Sequence, residues 1–151
     1  MDKADSSRIY PSPFDIDEGR LKAKDVKDRL GRIYSKEYYD IGCYYTGSDR
    51  LLDLELRMNS ATFRVYNLIR RKLEINSNAV IFTIDDYRTT FNDYNKNHFY
   101  EGVKNNIELG IIAKYKKDNY VVNHNLLFKG NLSTFINDYI IFINRMNKLN
   151  N

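Results

Sequence analysis

Cysteine is nearly absent from this chain of 151 residues, and tryptophan is wholly absent. The single Cys43 excludes an intramolecular disulfide and a cysteine-based zinc site, and reads as a buried thiol in a reducing compartment. Two histidines, His98 and His124, are too few for a histidine-rich metal centre. His98 reads as a groove or surface residue and His124 as a loop residue. The seven glycines form no phosphate-cradling loop, and no nucleophile motif occurs. Asp85 and Asp86 read as a helix cap, and Asp17-Glu18 as a solvated pair. No apolar run approaches the roughly 20 residues of a membrane-spanning helix, and no signal-peptide pattern opens the sequence. The expectation is therefore no enzyme, no cofactor, no metal and no membrane association, with a cytoplasmic location.

What the chain has is asparagine, tyrosine, isoleucine and lysine. Their codons are AT-rich, so plasmids, phages and many bacterial chromosomes all give such a composition. The formal net charge is +4, unevenly spread. Residues 60–82 carry four basic side chains against one acid, whereas residues 83–130 carry seven against six. Arg64, Arg70, Arg71 and Lys72 supply most of the excess.

The stretch from Thr83 to Gly130 organises the rest. Thr83 and Asp86 form a variant capping box opening a helix over 85–91. Asn92 and Asp93 favour a turn. Asn95 caps a second helix, Lys96 to Leu109, and Gly110 supplies the left-handed residue that stops it. At about 100° per residue, Phe99, Val103 and Ile107 make one stripe with Tyr100 beside it. Asn97, His98, Glu101, Lys104, Asn105 and Glu108 make the opposite face. Ile111 to Lys116 and Tyr120 to Asn123 read as strands joined by Lys117, Asp118 and Asn119. This is the order of a winged helix-turn-helix. The fold class expected is mostly α with a small β-wing (α+β). In such a unit the polar face of the second helix lies in the major groove. Asparagine suits adenine there, and lysine suits guanine or phosphate. The candidate DNA-binding residues are Asn95, Lys96, Asn97, His98, Glu101, Lys104 and Asn105 on the helix, with Lys114, Lys116, Lys117 and Asn119 on the wing.

The segment GIIAKYKKDNYVVNHNLLFKG resembles the end of the winged-helix domain in plasmid replication initiator and replication-maintenance proteins. Those domains close with a helix, a hairpin, a Tyr-x-x-Asn and a Phe-Lys-Gly-like exit, matched here by Tyr120, Asn123, Phe128, Lys129 and Gly130. The resemblance covers roughly residues 60–130 and implies duplex-DNA binding in replication. Where that family places Ser and Thr at the start of its recognition helix, this chain has Asn95, Asn97 and His98. Its Asn-Pro after the wing is Asn123-His124 here.

Three segments follow in chain order. Residues 1–59 form an N-terminal arm and extension. The first 20 read as an arm without its own core, either a disordered tail or a segment docking on a neighbouring subunit. Leu21 to Tyr34 reads as a short exposed helix interrupted at Gly31, and Tyr38 to Tyr45 as a tyrosine-rich patch. Leu51 to Met58 fits a strand or a helix. Residues 60–130 hold the winged unit, opened by a helix capped at Ser60 with Phe63, Tyr66, Leu68, Ile69 and Leu73 on its apolar face. A strand at Val80 to Phe82 completes it. Residues 131–151 form a C-terminal amphipathic helix. There, Leu132, Phe135, Ile136, Tyr139, Ile140, Ile143 and Met146 are candidates for a homo-oligomer interface, the alternative being a helix that closes the monomer core.

Two functions follow. The first is duplex-DNA binding in replication initiation or transcriptional control of a plasmid or phage. The second is a structural or interaction subunit, with virion proteins as partners and the virion as location, that uses the fold as a scaffold. The near-neutral reader favours the second, and Glu101 and Glu108 on the offered face count against the first.

Overall fold

Asn59 starts the first long helix because its side-chain oxygen accepts the backbone N–H of Thr62 at 2.9 Å and the Thr62 hydroxyl at 2.7 Å. The cap is thus Asn59, with Ser60 the first helical residue, one position earlier than expected. Such a cap is worth about 1 kcal/mol.

The computed structural model describes residues 9–14, 25–27, 33–35, 49–130 and 132–149. Its elements are β1 Asp25–Lys27, β2 Ile33–Ser35, α1 Asp49–Glu55, α2 Ser60–Lys72, β3 Ala79–Ile81, α3 Ile84–Phe91, α4 Lys96–Glu108, β4 Ile112–Lys116, β5 Asn119–Val122 and α5 Leu132–Leu149. The class is α+β, with helices around a three-stranded antiparallel sheet of order β3-β5-β4. In place of the helix expected over Leu21 to Tyr34, β1 and β2 pair antiparallel, Val26 opposite Tyr34. Four apolar positions among many charges were too sparse to fix a period. The undecided Leu51 stretch is helical in α1. Tyr38 to Tyr45 lies outside the described residues.

Local chemistry sets the α3–turn–α4 boundaries. Both halves of the capping box form, Asp86 N–H to the Thr83 hydroxyl at 3.1 Å and Thr83 N–H to the Asp86 carboxylate at 2.9 Å. Asn92 takes the left-handed conformation that ends α3, with φ 51°. Asn95 caps α4 by accepting from Asn97 N–H at 2.9 Å, and Gly110 leaves the helix at φ 77°. A side chain there would be strained although nothing crowds it.

β5 is the central strand, with Val80 opposite Tyr120 on one side and Lys114 opposite Tyr120 on the other. The register breaks between Lys114 and Lys116. Tyr115 is therefore the extra residue of a bulge, which re-aims its side chain.

The main core lies between α2, α3, α4 and the sheet. Phe82 stacks on Tyr120 at 4.6 Å between ring centres and meets Phe99 edge-on at 6.2 Å. Val65, Leu68, Ile69 and Tyr87 complete it. Phe63, assigned to the buried face of α2, is exposed, and Val65 takes its place at zero exposure. The reason is the tight α2–α4 crossing at Gly102, where an added Cβ would collide with Val65 and stand 2.6 Å from the Ala61 carbonyl oxygen. The same crossing rotates α4 relative to expectation. Ile107 is exposed and Asn106 is buried, its amide donating to the carbonyls of Gly102 at 2.7 Å and Thr62 at 3.1 Å.

A second cluster joins Phe128, Leu132, Phe135, Ile136 and Tyr139 to Ile9. This corrects two expectations. Residues 9–14 dock on their own chain and do not trail free, while residues 1–8 and 15–20 of the expected arm lie outside the described residues. Four of the residues assigned to an oligomer interface, Leu132, Phe135, Ile136 and Tyr139, are at most 7% exposed within the monomer. The wide apolar face of α5 is used up by Phe128 and the arm. Ile140 and Ile143 are half-buried at its rim, and Met146 is half-buried further along the helix. His124 lies in a turn after β5, as expected of a loop residue, but is 1% exposed beside Phe135, ring centres 5.8 Å apart.

Candidate nucleic-acid interface

The turn between α3 and α4 is held by one carboxylate. Asp93 accepts the Tyr87 hydroxyl at 2.8 Å, the Asn95 backbone N–H at 3.0 Å, His98 Nδ1 at 2.9 Å and Arg64 Nη1 at 3.1 Å. Those donors come from α2, α3, the turn and α4, so this group fixes the angle at which α4 leaves the turn. The Tyr87 hydroxyl, then the Asn95 N–H and His98, hold the Asp93 carboxyl well below the usual carboxylate range. Burial, reinforced by Asp93, pushes the Tyr87 phenol up. With Asp93 ionised, His98 Nδ1 is the donor of that contact.

Beyond the turn, Phe99 points inward at 4% exposure, while Asn97, His98, Tyr100, Glu101 and Lys104 stand on the outer side of α4. They line one open depression together with Asn105. Asn97 commits its backbone N–H to the cap, and its side chain is exposed. Lys104 reaches Glu108 at 4.0 Å, a loose surface pair worth little. Lys96 is exposed next to the cap residue, Asn95. Asn105 is turned inward instead, half-buried, its amide donating to the Thr62 hydroxyl at 2.9 Å. It extends the Asn59–Thr62 cap and is not part of the free face.

The hairpin carries Lys114, Lys116 and Lys117, all exposed. Asp118, with φ 62°, makes the turn. Among the described residues none of the three lysines lies within ion-pair distance of an acid. Lys116 Nζ instead lies 5.9 Å from the Tyr115 ring centre. Asn119 is committed, its amide donating to the Lys117 carbonyl at 2.7 Å and its side-chain oxygen accepting the Tyr10 hydroxyl at 2.7 Å. It shapes the turn and offers no free amide.

Of the sequence-derived candidates, the structure brings Asn97, His98, Glu101 and Lys104 onto one face and sets the three hairpin lysines on a separate element. It removes Asn105 and Asn119 from the free set. Sequence reasoning missed Tyr100 as an exposed member of the face, at 57% exposure, and Asp93 as its organiser. The spacing Asp93-x-Asn95 signals a turn, but nothing in it reveals Arg64, 29 positions away. Among the described residues no cluster of acids, histidines or cysteines could hold a metal ion, and no helix is long and apolar enough to cross a membrane.

Comparison with protein-family models, curated proteins and solved structures returns no match for the chain.

Proposed function

We propose that this chain binds duplex DNA through α4 and the β4–β5 hairpin, as a winged helix-turn-helix protein acting in replication initiation or transcriptional control of a plasmid or phage. The observation that carries this reading is the division of α4. Phe99 is sealed in the core, Asn97, His98, Glu101 and Lys104 are exposed on the outer face, and a hairpin with three exposed lysines follows. The order α2–β3–α3–α4–β4–β5, with β3 on the far edge of the hairpin's sheet, is the order that fold requires. The Asp93 contacts give α4 a fixed departure angle, which base readout needs.

In this reading Asn97 reads adenine and Lys104 reads guanine or phosphate. Lys96, Lys114, Lys116 and Lys117 neutralise backbone charge. With Lys104 also on a phosphate, the five contacts give a salt slope of about −4 to −5. Fluorescence anisotropy with a labelled duplex should therefore show affinity falling on the order of several-hundred-fold between 50 and 200 mM salt. A curve flat over that range rejects the reading.

The second reading is a protein-interaction scaffold in a phage particle or other assembly. Glu101 and Glu108 on the offered face, with Tyr94 and Tyr100 exposed at 70% and 57%, favour it. A salt-insensitive chain that co-sediments with an assembly partner would select it.

A further inference from the structure

Tyr10 meets the β4–β5 hairpin on the sheet face turned away from the helices. Tyr120 faces the core, where it stacks on Phe82, so alternation sends its neighbour Asn119 to the opposite face. There the Asn119 side-chain oxygen accepts the Tyr10 hydroxyl at 2.7 Å, and its amide donates to the Lys117 carbonyl at 2.7 Å. One side chain thus joins Tyr10 to the turn. A second contact is made at the bulge, where the Tyr10 ring stacks on Tyr115 with centres 4.4 Å apart. Lys116 follows Tyr115, its Nζ 5.9 Å from that ring's centre. Tyr10 is itself anchored elsewhere. Asn78 is fully buried, accepts the Tyr10 N–H and donates to the Tyr10 carbonyl, each at 2.9 Å. Ile9 packs among Phe128, Leu132, Phe135 and Ile136, and the Ser12 N–H donates to the Tyr139 hydroxyl at 2.8 Å. Between the Tyr10 and Ser12 anchors, Pro11 fixes φ near −65° and stiffens the segment.

We propose that residues 9–14 brace the hairpin and that Tyr10 is a positioning residue, setting the phosphate grip of Lys116 and Lys117 without itself touching DNA. The brace rests on the contacts above, whereas its effect on grip rests on the reading of the hairpin as a DNA-binding wing. The turn has a tie from the β3 side, the Phe82 N–H donating to the Asp118 carbonyl at 3.1 Å. Tyr10 acts on the β4 side, where the bulge interrupts the ladder between Lys114 and Lys116. A lysine that meets a phosphate loses its own rotamer freedom in any case. If the strand carrying it is also loose, that freedom must be given up as well, so a held strand binds more tightly. Linkage makes the effect reciprocal: a duplex bound on the hairpin must in turn favour the docked segment.

The test uses the full chain with Tyr10→Ala, which keeps the Asn78 clamp and the Ile9 anchor, and with Tyr10→Phe, which also keeps the stack. Limited trypsin digestion under native conditions reads the brace without DNA. In Tyr10→Ala, cleavage after Lys116 and Lys117 should be about fivefold faster than in the native chain, with cleavage after Arg71 in α2 unchanged. Tyr10→Phe should restore most of the protection. Hairpin cleavage at the native rate in Tyr10→Ala overturns the proposal. So does equal acceleration at Arg71, which marks a fold loosened everywhere. Anisotropy with a labelled duplex then reads the grip. Tyr10→Ala should make the salt slope shallower by about 0.9 for each hairpin lysine released, whereas a chain that is merely less stable keeps the slope of its folded fraction. An unchanged slope overturns the positioning role. In a chain already carrying Lys116→Ala and Lys117→Ala, Tyr10→Ala should change affinity by less than about twofold, and a full loss there overturns that role equally. If the native chain shows no salt-dependent binding, the DNA reading fails, and the cleavage rates alone decide the brace.

Discussion

His124 and Asp93 set two separate acid limits on the fold. His124 is buried beside Phe135, and neither ring nitrogen has a hydrogen-bond partner among the described residues. Burial lowers its pKa from 6.5 to about 4. The folded chain thus keeps the ring neutral, while the unfolded chain takes up a proton below pH 6.5. Its stabilising effect is complete above that pH and is lost as pH falls to about 4. At 1.36 kcal/mol per pKa unit, that window is worth about 3 kcal/mol, and about 2 of it should be gone by pH 5. Urea unfolding at pH 7.5 and pH 5 should show the loss in the native chain, and His124→Leu should show a much flatter dependence. Asp93 acts lower. Its folded pKa is depressed, so its contribution is present above the ordinary carboxylate value of about 3.9 and is lost as pH falls through the folded value. Asp93→Asn, whose amide nitrogen would oppose the donors of Arg64 and His98, should lower the melting temperature at pH 7 and weaken DNA binding. Unchanged values for both would remove Asp93 from the role given to it here. Neither role was legible in the sequence. A histidine in a loop-like string and an aspartate beside an asparagine look like surface residues until chain-distant partners close around them.

Element by element, what local chemistry decides was readable and what packing decides was not. The box at Thr83 and Asp86, the cap at Asn95 and the stop at Gly110 each act within three or four residues, and α3 and α4 start and end within a residue of expectation. The inner faces of α2 and α4 were read less well. A hydrophobic stripe treats a helix as packing on a uniform wall, whereas Gly102 lets α2 come so close that only short groups fit between. Hence Val65 displaces Phe63, and the amide of Asn106 fills a place expected of Ile107. Gly102→Ala should therefore destabilise, although alanine is the better helix former by about 1 kcal/mol. The collision with the Ala61 carbonyl is with backbone and cannot be relieved by a rotamer change, so a net cost of about 1–3 kcal/mol is expected. Thermal unfolding checks the sign: a raised melting temperature would mean that the helices are not in contact there. In residues 9–14, long-range contact dominates. Ile9 and Tyr10 look like part of an apolar-poor arm, and only the fold brings Asn78 and Tyr139 beneath them.

For the molecule as a whole, charge alone does not identify a DNA-binding face. The segment 83–130 holds seven basic and six acidic side chains, yet the fold sorts them. Asp86 is occupied by Lys72 at 3.5 Å, Asp93 by Arg64 and His98, and Asp85 by Arg88 at 3.5 Å. These pairs occupy three acids without drawing on the hairpin lysines. Glu101 and Glu108 remain on α4, so the hairpin is the more positive of the two elements. If the chain binds DNA as proposed, the two elements divide the labour. Lys117→Ala should weaken binding to all duplexes by a similar factor and reduce the magnitude of the salt slope by about 0.9. Asn97→Ala should leave the slope unchanged and cost about 1–3 kcal/mol only on sequences the native chain prefers. Anisotropy titrations of both variants against a selected and a scrambled duplex, at several salt concentrations, separate the two effects. If Asn97→Ala weakened both duplexes alike while Lys117→Ala changed neither, α4 would not be reading bases and the hairpin would not be gripping backbone. The polar side of α4 would then be better assigned to a protein partner.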